Sequence, residues 1–555
     1  MSNTGAFSLS PEQRASFEKT LEEWVSQGKV QRLWNRDAAL WTNTSESQWL
    51  GWLDIVRDQL KQPDRFSDIA RDVLKNGFSD IVLLGMGGSS LCPEVLSKSF
   101  APVKGFPPIH VLDSTDPGQV LSIERGINLS KTLFIVASKS GSTLEPNIFK
   151  QYFYERAGRN GAQFWAITDP GSKMEQAAKA ENFARIFYGV PLIGGRYSAL
   201  SDFGMVPAAA IGLDLPRFLS TARLMVEACS ENGTGNPGLR LGAFLGSLAR
   251  AGRNKLTIIC SPALHDLGAW MEQLIAESTG KEGKGIIPVD REPIGPLSVY
   301  GADRVFAYAR LDDEADPAQD TAVAELEEAG HPVVLIPVAN PYQLGAEFFR
   351  WEMATAVAGS ILGINPFDQP DVEASKIETR KLTSAFEQKG ALPAETPLFE
   401  EHGIKVFGET PELSLTACLK RHLSNIDPTG YVALLAYINM TDRNEEVLTS
   451  MRELIRDRTK AATCVGFGPR FLHSTGQAYK GGPFGGVFIQ ITSDNAEDIA
   501  VPDQKYTFGI VKAAQAQGDL AVLRERGRRW LRVHLSKDVG AGLAELASAL
   551  KAALQ

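Results

Sequence analysis

The stretch Asp80-Ile-Val-Leu-Leu-Gly-Met-Gly-Gly-Ser-Ser90 decides the class of fold. It starts as an apolar run of the length of a buried strand, and the glycines and serines after that run are typical of a tight turn into a helix. Similar apolar runs lie at 109–112, 132–137 and 163–167, and each is followed by turn residues and a helical pattern. Strand, turn and helix in repetition predict an α/β fold in which helices cover both faces of a parallel sheet.

The rest of the chain repeats this pattern. A second cycle of strands and helices follows the glycine-rich loop at 232–238, and a third, shorter one follows 390–411, a stretch rich in Pro, Gly and Glu that is typical of a boundary. The residues before the first cycle predict helices whose five tryptophans pack against the main body. The chain is therefore predicted to contain an N-terminal helical segment at 1–65, two α/β domains at 66–235 and 236–390, and a smaller α/β unit at 405–555.

The composition is that of a folded cytoplasmic protein. Of 555 residues, 43% are hydrophobic and 22% charged, which is near the globular average. The 57 Lys and Arg against 66 Asp and Glu give a formal net charge of −9 without a polybasic block, which argues against nucleic acid as a partner. Five scattered cysteines without a Cys-x-x-Cys pair argue against a disulfide framework and a thiolate metal site. The sequence shows neither the apolar core of a signal peptide nor 18 consecutive apolar residues, so we expect no membrane partner.

Two loops that directly follow predicted strands contain the glycine and hydroxyl residues typical of a phosphate-binding site. In the loop 85–90, glycines allow backbone N–H groups to approach an anion and Ser89 adds a hydroxyl, although a tight turn alone would also use glycine. The loop 138–143 has four hydroxyl side chains and Lys139 at a predicted helix N-terminus, which is more than capping requires. Neither loop has the spacing of a dinucleotide fingerprint or a Walker A motif. A phosphomonoester is therefore the predicted ligand.

The two loops resemble the phosphate-binding loops of the sugar isomerase (SIS) fold. Three later motifs, Gly194-Gly-Arg-Tyr-Ser198, Ala276-Glu-Ser-Thr-Gly-Lys281 and the stretch from Asn365 to Lys376, resemble the active-site signatures of the glucose-6-phosphate isomerase family, in the family's order. The resemblance covers roughly residues 70–385, and it implies that the two larger domains are SIS-type parallel-sheet sandwiches. The stretches 347–352, 471–476 and 480–483 look most like the isomerase portion of bifunctional transaldolase/glucose-6-phosphate isomerase proteins, although no transaldolase barrel is expected here.

The resemblance also implies roles for individual residues in the interconversion of glucose 6-phosphate and fructose 6-phosphate. Glu277 matches the base that moves a proton between C1 and C2, Arg196 would stabilise the enediolate, and Lys376 would contact the ring oxygen and assist ring opening. Neither a metal ion nor another cofactor is needed for this reaction. The substrate-binding residues predicted from the loops and the motifs are Gly88, Ser89, Ser138, Lys139, Ser140, Thr143, Gly195 and Gln369.

The sequence departs from the family at the histidine that opens the sugar ring. The family's Gly-Thr-x-x-Gln-His motif corresponds here to Val299-Tyr-Gly-Ala-Asp-Arg-Val-Phe-Ala307, which contains no histidine. His265 and His331 read as structural residues at the start of a helix and of a strand. We therefore hypothesise that His473, in a glycine-flanked C-terminal loop, takes the histidine's place. The alternatives are assistance by Lys376, Asp303, Arg304 or water, and spontaneous ring opening.

The sequence leaves open two other functions, and it does not decide between a monomer and a homodimer. SIS domains also serve as sugar-phosphate sensors, but a sensor needs neither a positioned carboxylate nor a cation for an enediolate. An isomerase that also accepts mannose 6-phosphate would have the same motifs. Because the family's dimer is tied to the histidine that is missing here, both a monomer and a homodimer are consistent with the sequence.

Overall fold

The computed structural model describes residues 5–409, 412, 414–424 and 426–555. The strands in this part of the chain are β1 (Ala6–Ser8), β2 (Asp80–Leu84), β3 (Ile109–Leu112), β4 (Thr132–Ala137), β5 (Phe164–Thr168), β6 (Arg185–Tyr188), β7 (Lys255–Cys260), β8 (Ile287–Val289), β9 (Arg304–Leu311), β10 (Val333–Val338), β11 (Phe399–Glu401), β12 (Ile404–Phe407), β13 (Tyr431–Tyr437), β14 (Ala462–Phe467), β15 (Gly486–Ser493) and β16 (Arg529–Leu535).

The α-helices in the same part are α1 (Pro11–Ser26), α2 (Lys29–Trp34), α3 (Trp52–Leu60), α4 (Asp64–Asn76), α5 (Leu91–Ser99), α6 (Pro117–Gly126), α7 (Leu144–Arg156), α8 (Lys173–Ala180), α9 (Asp202–Ala210), α10 (Leu215–Ser230), α11 (Pro237–Arg250), α12 (Leu267–Thr279), α13 (Pro317–Glu328), α14 (Leu344–Leu362), α15 (Pro370–Lys389), α16 (Leu415–Leu423), α17 (Asp442–Thr459), α18 (Gly476–Gly481), α19 (Phe508–Glu525) and α20 (Val539–Ala553). None of these helices is long and apolar enough to cross a membrane.

The first sheet is parallel throughout, in the order β3-β2-β4-β5-β6. Successive side chains of β2 belong to different hydrophobic cores, one on each face of the sheet. Ile81 is in the core with residues of α5 and α9, and Val82 is in the core with residues of α7 and α19. Helices therefore cover both faces, which explains why the strand is a continuous apolar run rather than an alternating one. The predicted fold class is confirmed.

The second sheet has the order β1-β10-β9-β7-β8, with β7 to β10 parallel and β1 antiparallel to β10. The strand β1 was not expected, because the segment 1–65 was predicted to be helical only. A short edge strand of this kind has too few residues for a periodic signal. The predicted packing of the N-terminal tryptophans is confirmed: Trp24, Trp41 and Trp52 lie in the large core that also includes α10, α11 and α14, and Trp34 and Trp49 pack against it.

The third sheet belongs to the C-terminal unit and has the order β11-β12-β16-β15-β13-β14. The strands β13 to β16 continue the strand-and-helix pattern predicted for this part of the chain. The stretch 390–411, expected to be only a boundary, contains the antiparallel pair β11 and β12, and β12 extends the sheet by pairing with β16. Residues 410 and 411 of that stretch lie outside the described residues. The division into domains stays a prediction.

The C-terminal unit contacts the first sheet where the first sheet's strands end. Lys512 of α19 pairs with Asp116 at 2.8 Å, and Thr115 donates a hydrogen bond to Gln515 at 2.7 Å. Arg470 pairs with Asp113, just after β3, at 3.1 Å and also with Glu94 of α5. These contacts bring the loop around residue 473 to the carboxyl edge of the first sheet, where parallel sheets bind ligands.

Candidate active site

A cleft of about 340 Å³ lies at this edge of the first sheet, where residues from distant parts of the chain meet. Loops that follow β2 and β4, the ends of α12 and α15, and the loop before α18 contribute its walls. Every residue that the sequence predicted for the site lines this cleft: Gly88, Ser89, Ser138, Lys139, Ser140, Thr143, Gly195, Arg196, Glu277, Gln369, Lys376 and His473. The fold thus brings together residues that are far apart in sequence, whereas their roles stay predictions.

The glycines of the first loop are needed because two backbones meet there. A Cβ atom on Gly88 would lie 1.9 Å from the carbonyl oxygen of Gly195, so no side chain fits at this position. Gly87 has a φ of +54°, and a Cβ atom there would lie 3.1 Å from the carbonyl oxygen of His473. The loop after β2 is therefore packed directly against the Gly-Gly-Arg turn and against the C-terminal unit.

The second loop presents free donors at the N-terminus of α7. Among the described residues, the buried Ser138 Oγ has no hydrogen-bond partner, and the N-cap residue Thr143 makes no side-chain hydrogen bond to the helix. The first N–H groups of a helix also lack intrahelical partners and favour negative charge. Lys139 is not a free donor: its ammonium group pairs with Asp169 and donates a hydrogen bond to the carbonyl oxygen of Pro191 at 3.1 Å. The loop can bind an anion through hydroxyl and N–H groups.

Glu277 and Arg196 form the centre of the cleft. Glu277 lies in the last turn of α12 and is 7% exposed, and its Oε2 is 3.3 Å from the donor Gln273 Nε2 and 3.6 Å from Arg196 Nη1. Arg196 is 3% exposed and is held by four hydrogen bonds, from Nε to Ser278 Oγ, from Nη1 to Gln369 Oε1, and from Nη2 to the carbonyl oxygens of Pro366 and Asp368. A guanidinium has five N–H groups, so among the described residues one N–H on Nη1 is left over, on the atom that faces Glu277.

A second buried cation holds the turn 365–369 in place. Lys281 Nζ donates hydrogen bonds to the carbonyl oxygens of Ser278 at 3.0 Å and Asn365 at 2.5 Å and pairs with Asp368 at 3.1 Å. Burial, together with repulsion from Arg196, lowers the pKa of Lys281 to about 7. Arg196 and Lys281 together fix this turn, which carries Gln369.

Lys376 lies on the second turn of α15, with its side chain 34% exposed on the rim of the cleft. Its Nζ is 2.7 Å from Oε1 of Glu373, which also lines the cleft. This pair is open to solvent, so the lysine can move from Glu373 to an anionic or oxygen-rich ligand at little cost.

His473 reaches the cleft from the C-terminal unit. Its Nε2 lies 3.0 Å from Oε1 of Glu145, which also accepts a hydrogen bond from Gln515 at 2.7 Å. Burial raises the pKa of Glu145, but the interaction with His473, which includes their hydrogen bond, outweighs burial, so the pKa of Glu145 is lowered overall. Because a carboxylate only accepts, Nε2 carries the proton, and Nδ1 is the nitrogen left for a ligand.

The structure removes two of the alternatives to His473. Arg304 is fully buried, pairs with Glu292 at 2.9 Å and donates a hydrogen bond to Thr257, and Asp303 pairs with Lys255 at 3.2 Å. Neither residue is among those that line the cleft. His331 packs against the rings of Tyr300 and Phe306, in agreement with its predicted structural role.

Some residues of the cleft were missed by the sequence analysis. Trp49 packs against the core as predicted, and it also borders the cleft, with its ring 5.8 Å from Lys139 Nζ. Gln273 lies one helical turn before Glu277, and this i, i+4 spacing could have indicated it. Glu145 lies two residues after the loop 138–143 that the sequence singled out, in the first turn of α7. No feature of the sequence indicated Gln515, since it lies on α19 of the C-terminal unit, far along the chain from the other cleft residues.

Residues 69–288 match the family model described as phosphoglucose isomerase. A glucose-6-phosphate isomerase of Rubrobacter xylanophilus is 32% identical over 362 residues, which are 56% of this chain and 83% of the relative. A glucose-6-phosphate isomerase of Thermosynechococcus vestitus is 31% identical over 370 residues, which are 58% of this chain and 70% of the relative.

Two solved structures share the fold. A crystal structure of a hypothetical protein from Thermus thermophilus superposes with a TM-score of 0.58 at 25% identity and covers 68% of this chain and 99% of its own. The crystal structure of a glucose-6-phosphate isomerase from Chlamydia trachomatis superposes with a TM-score of 0.52 at 22% identity, over 60% and 74% of the two chains.

Proposed function

The chain belongs to the glucose-6-phosphate isomerase family, and we propose that its cleft carries out the family's reaction with Glu277 as the base. The protein is an enzyme that interconverts glucose 6-phosphate and fructose 6-phosphate. The observation that carries the assignment of residues is the contact between Glu277 and Arg196 at 3.6 Å inside a cleft that also has a loop for an anion.

The first step of the proposed mechanism is binding of the phosphate. Ser138, Ser140 and Thr143 offer hydroxyl groups beside the N-terminus of α7, and the substrate's dianion meets the positive end of that helix. With the phosphate held there, the sugar extends along the cleft toward Glu277 and Lys376. Fixing one end of the chain limits the positions that C1 and C2 can take.

The second step is proton transfer by Glu277. With the open-chain aldose bound, the carboxylate removes the proton from C2, the electron pair forms the C1–C2 double bond, and the carbonyl oxygen takes up the negative charge. The remaining N–H of Arg196 faces this oxygen, and the rigid hydrogen bonds of the guanidinium leave little reorganisation for the transition state. A proton then passes from the C2 hydroxyl to the C1 oxygen, Glu277 returns its own proton to C1, and the ketose forms without a net change in atoms or electrons.

Ring opening is proposed to involve His473 and Lys376. Nδ1 of His473 takes the proton of the hydroxyl group at the anomeric carbon. Lys376 donates a proton to the ring oxygen as the bond between the anomeric carbon and the ring oxygen breaks. Glu145 stabilises the imidazolium that forms. In support, the two residues and Glu277 line one cleft. Water or spontaneous ring opening is the competing explanation.

The finer resemblance of the C-terminal unit leads to a second proposal. We propose that this chain is closest to the isomerase portion of the bifunctional transaldolase/glucose-6-phosphate isomerases. The supporting stretches are 471–476 and 480–483, which carry His473 and pack against α12.

The remaining expectations are proposals as well. We propose a cytoplasmic enzyme that uses no metal or other cofactor, has no nucleic acid or membrane partner, and works as a monomer or a homodimer. All five cysteines are buried and free, which supports a reducing compartment. A chelator should leave the rate unchanged, and light scattering gives the oligomeric state.

A coupled assay tests the proposed function. The protein is incubated with fructose 6-phosphate and an excess of glucose-6-phosphate dehydrogenase, which reports the aldose as it forms. Turnover is expected. Binding of fructose 6-phosphate without turnover would favour a sugar-phosphate sensor, and equal turnover of mannose 6-phosphate would favour an isomerase of dual specificity.

A further inference from the structure

Gln477 is a fully buried side chain at the point where three helices meet. It lies on α18 of the C-terminal unit, and its amide makes four hydrogen bonds. Oε1 accepts from the backbone N–H groups of Asp371 at 2.9 Å and Val372 at 3.3 Å. Nε2 donates to the carbonyl oxygen of Gly280 at 3.0 Å and to Asp371 Oδ2 at 2.8 Å. These bonds use the full capacity of the amide.

The partners of Gln477 belong to the two helices that carry the candidate base and the candidate lysine. Gly280 is the residue after α12 and follows Glu277 by three positions. Asp371 and Val372 lie in the first turn of α15, which carries Lys376 on its next turn. The first N–H groups of α15 need a partner from outside the helix, since among the described residues the side chain of the N-cap residue Gln369 makes no capping hydrogen bond to the helix. One side chain thus joins the end of α12 to the start of α15.

The backbone around Gln477 leaves no room for adjustment. A Cβ atom on Gly280 would lie 2.3 Å from the Cα atom of Ala478, and one on Gly481 would lie 2.3 Å from Oδ2 of Asp371. The residue after α12 is therefore in direct backbone contact with α18, and α18 in turn packs closely against the side chain of Asp371 on α15, so a change in one segment displaces the others.

We propose that Gln477 is a positioning residue that sets the separation between Glu277 and Lys376. The inference rests on the proposed roles of these two residues, which act on neighbouring atoms of one substrate. Gln477 is not among the residues that line the cleft, so it acts through the helices and not on the sugar. Proton transfer is sensitive to displacements of about 1 Å, and the amide holds both helices within hydrogen-bond distance.

The test replaces the amide by an apolar side chain of similar length, in the variant Gln477→Met. Gln163→Met is the matched control, because Gln163 is also buried and bridges segments by hydrogen bonds to the carbonyl oxygens of Leu129 and Thr132, at the opposite edge of the first sheet. At a temperature well below both melting points, kcat of Gln477→Met should fall by about ten- to a hundredfold while KM for fructose 6-phosphate changes by less than about threefold. The same kcat in both variants would overturn the proposal.

A second variant covers the case in which Gln477→Met does not fold. Gln477→Asn retains the amide but is one methylene shorter and cannot reach both helices, so kcat should again fall with KM little changed. Wild-type kcat in Gln477→Asn would refute the role of Gln477. Absence of turnover in the wild-type protein would instead refute the proposed function, so the two failures are distinguishable.

Discussion

Nε2 of His473 lies 3.0 Å from Oε1 of Glu145, although the two residues belong to different α/β units. Glu145 is on the first turn of the helix that follows the anion loop, and His473 comes from the C-terminal unit. The contact gives the histidine a fixed orientation and a proton on Nε2. It explains how a chain without the family's histidine motif at 299–307 still has an imidazole at the cleft.

The first prediction concerns His473. In His473→Ala the rate with cyclic glucose 6-phosphate should fall by about a hundredfold or more, since a general acid–base contributes at least that factor. Exchange of the C1 and C2 protons with solvent, measured by NMR on open-chain substrate, should change little because Glu277 is intact. His331→Ala is the control with a histidine outside the cleft. Unaltered turnover of the cyclic sugar by His473→Ala would show that water or spontaneous opening suffices.

The second prediction concerns the packing of the two loops. In Gly88→Ala the new methyl group would collide with the carbonyl oxygen of Gly195 at 1.9 Å, so the loops must separate and move Arg196 with them. Activity should fall by about a hundredfold, measured as kcat/KM. Gly233→Ala, in a loop where a Cβ atom meets nothing within 4 Å, is the control. Equal activity of the two variants would mean that the loops are free to move apart.

The third prediction concerns the pH dependence of stability. Glu272 is partly buried and accepts a hydrogen bond from Ser474 at 3.1 Å, and desolvation there, with repulsion from Asp290, raises its pKa to about 8. A carboxyl with a raised pKa binds its proton more tightly in the folded state, so its contribution to stability is complete below the ordinary pKa of 4.5 and is lost as pH rises through about 8.

Thermal unfolding at several pH values measures this effect. The melting temperature of the wild type should fall between pH 5 and pH 8.5 by more than that of Glu272→Gln, which keeps the shape of the side chain and cannot ionise. Parallel curves for the two proteins would show that Glu272 is not protonated in the folded state.

The parallel sheets, and the residues that line the cleft, could be predicted from the sequence because both leave local patterns in it. Buried strands are continuous apolar runs, and the glycines and hydroxyls at 85–90 and 138–143 mark the loops that follow them. The strands β1, β11 and β12 are too short or too polar to show a period, so they were missed. Gln515 and Gln477 were missed because their partners are hundreds of residues or a domain away, and only the folded chain brings them together.

The most direct test of the account is the effect of Glu277→Gln on isomerisation. The amide has the shape of the carboxylate but cannot accept the proton from C2, so kcat should fall by about 10²- to 10⁴-fold while fructose 6-phosphate still binds, measured by the coupled assay and by calorimetry. Glu272→Gln, the same substitution in the same helix and outside the cleft, should keep its kcat at pH 7. Wild-type turnover by Glu277→Gln would contradict the assignment of Glu277 as the base.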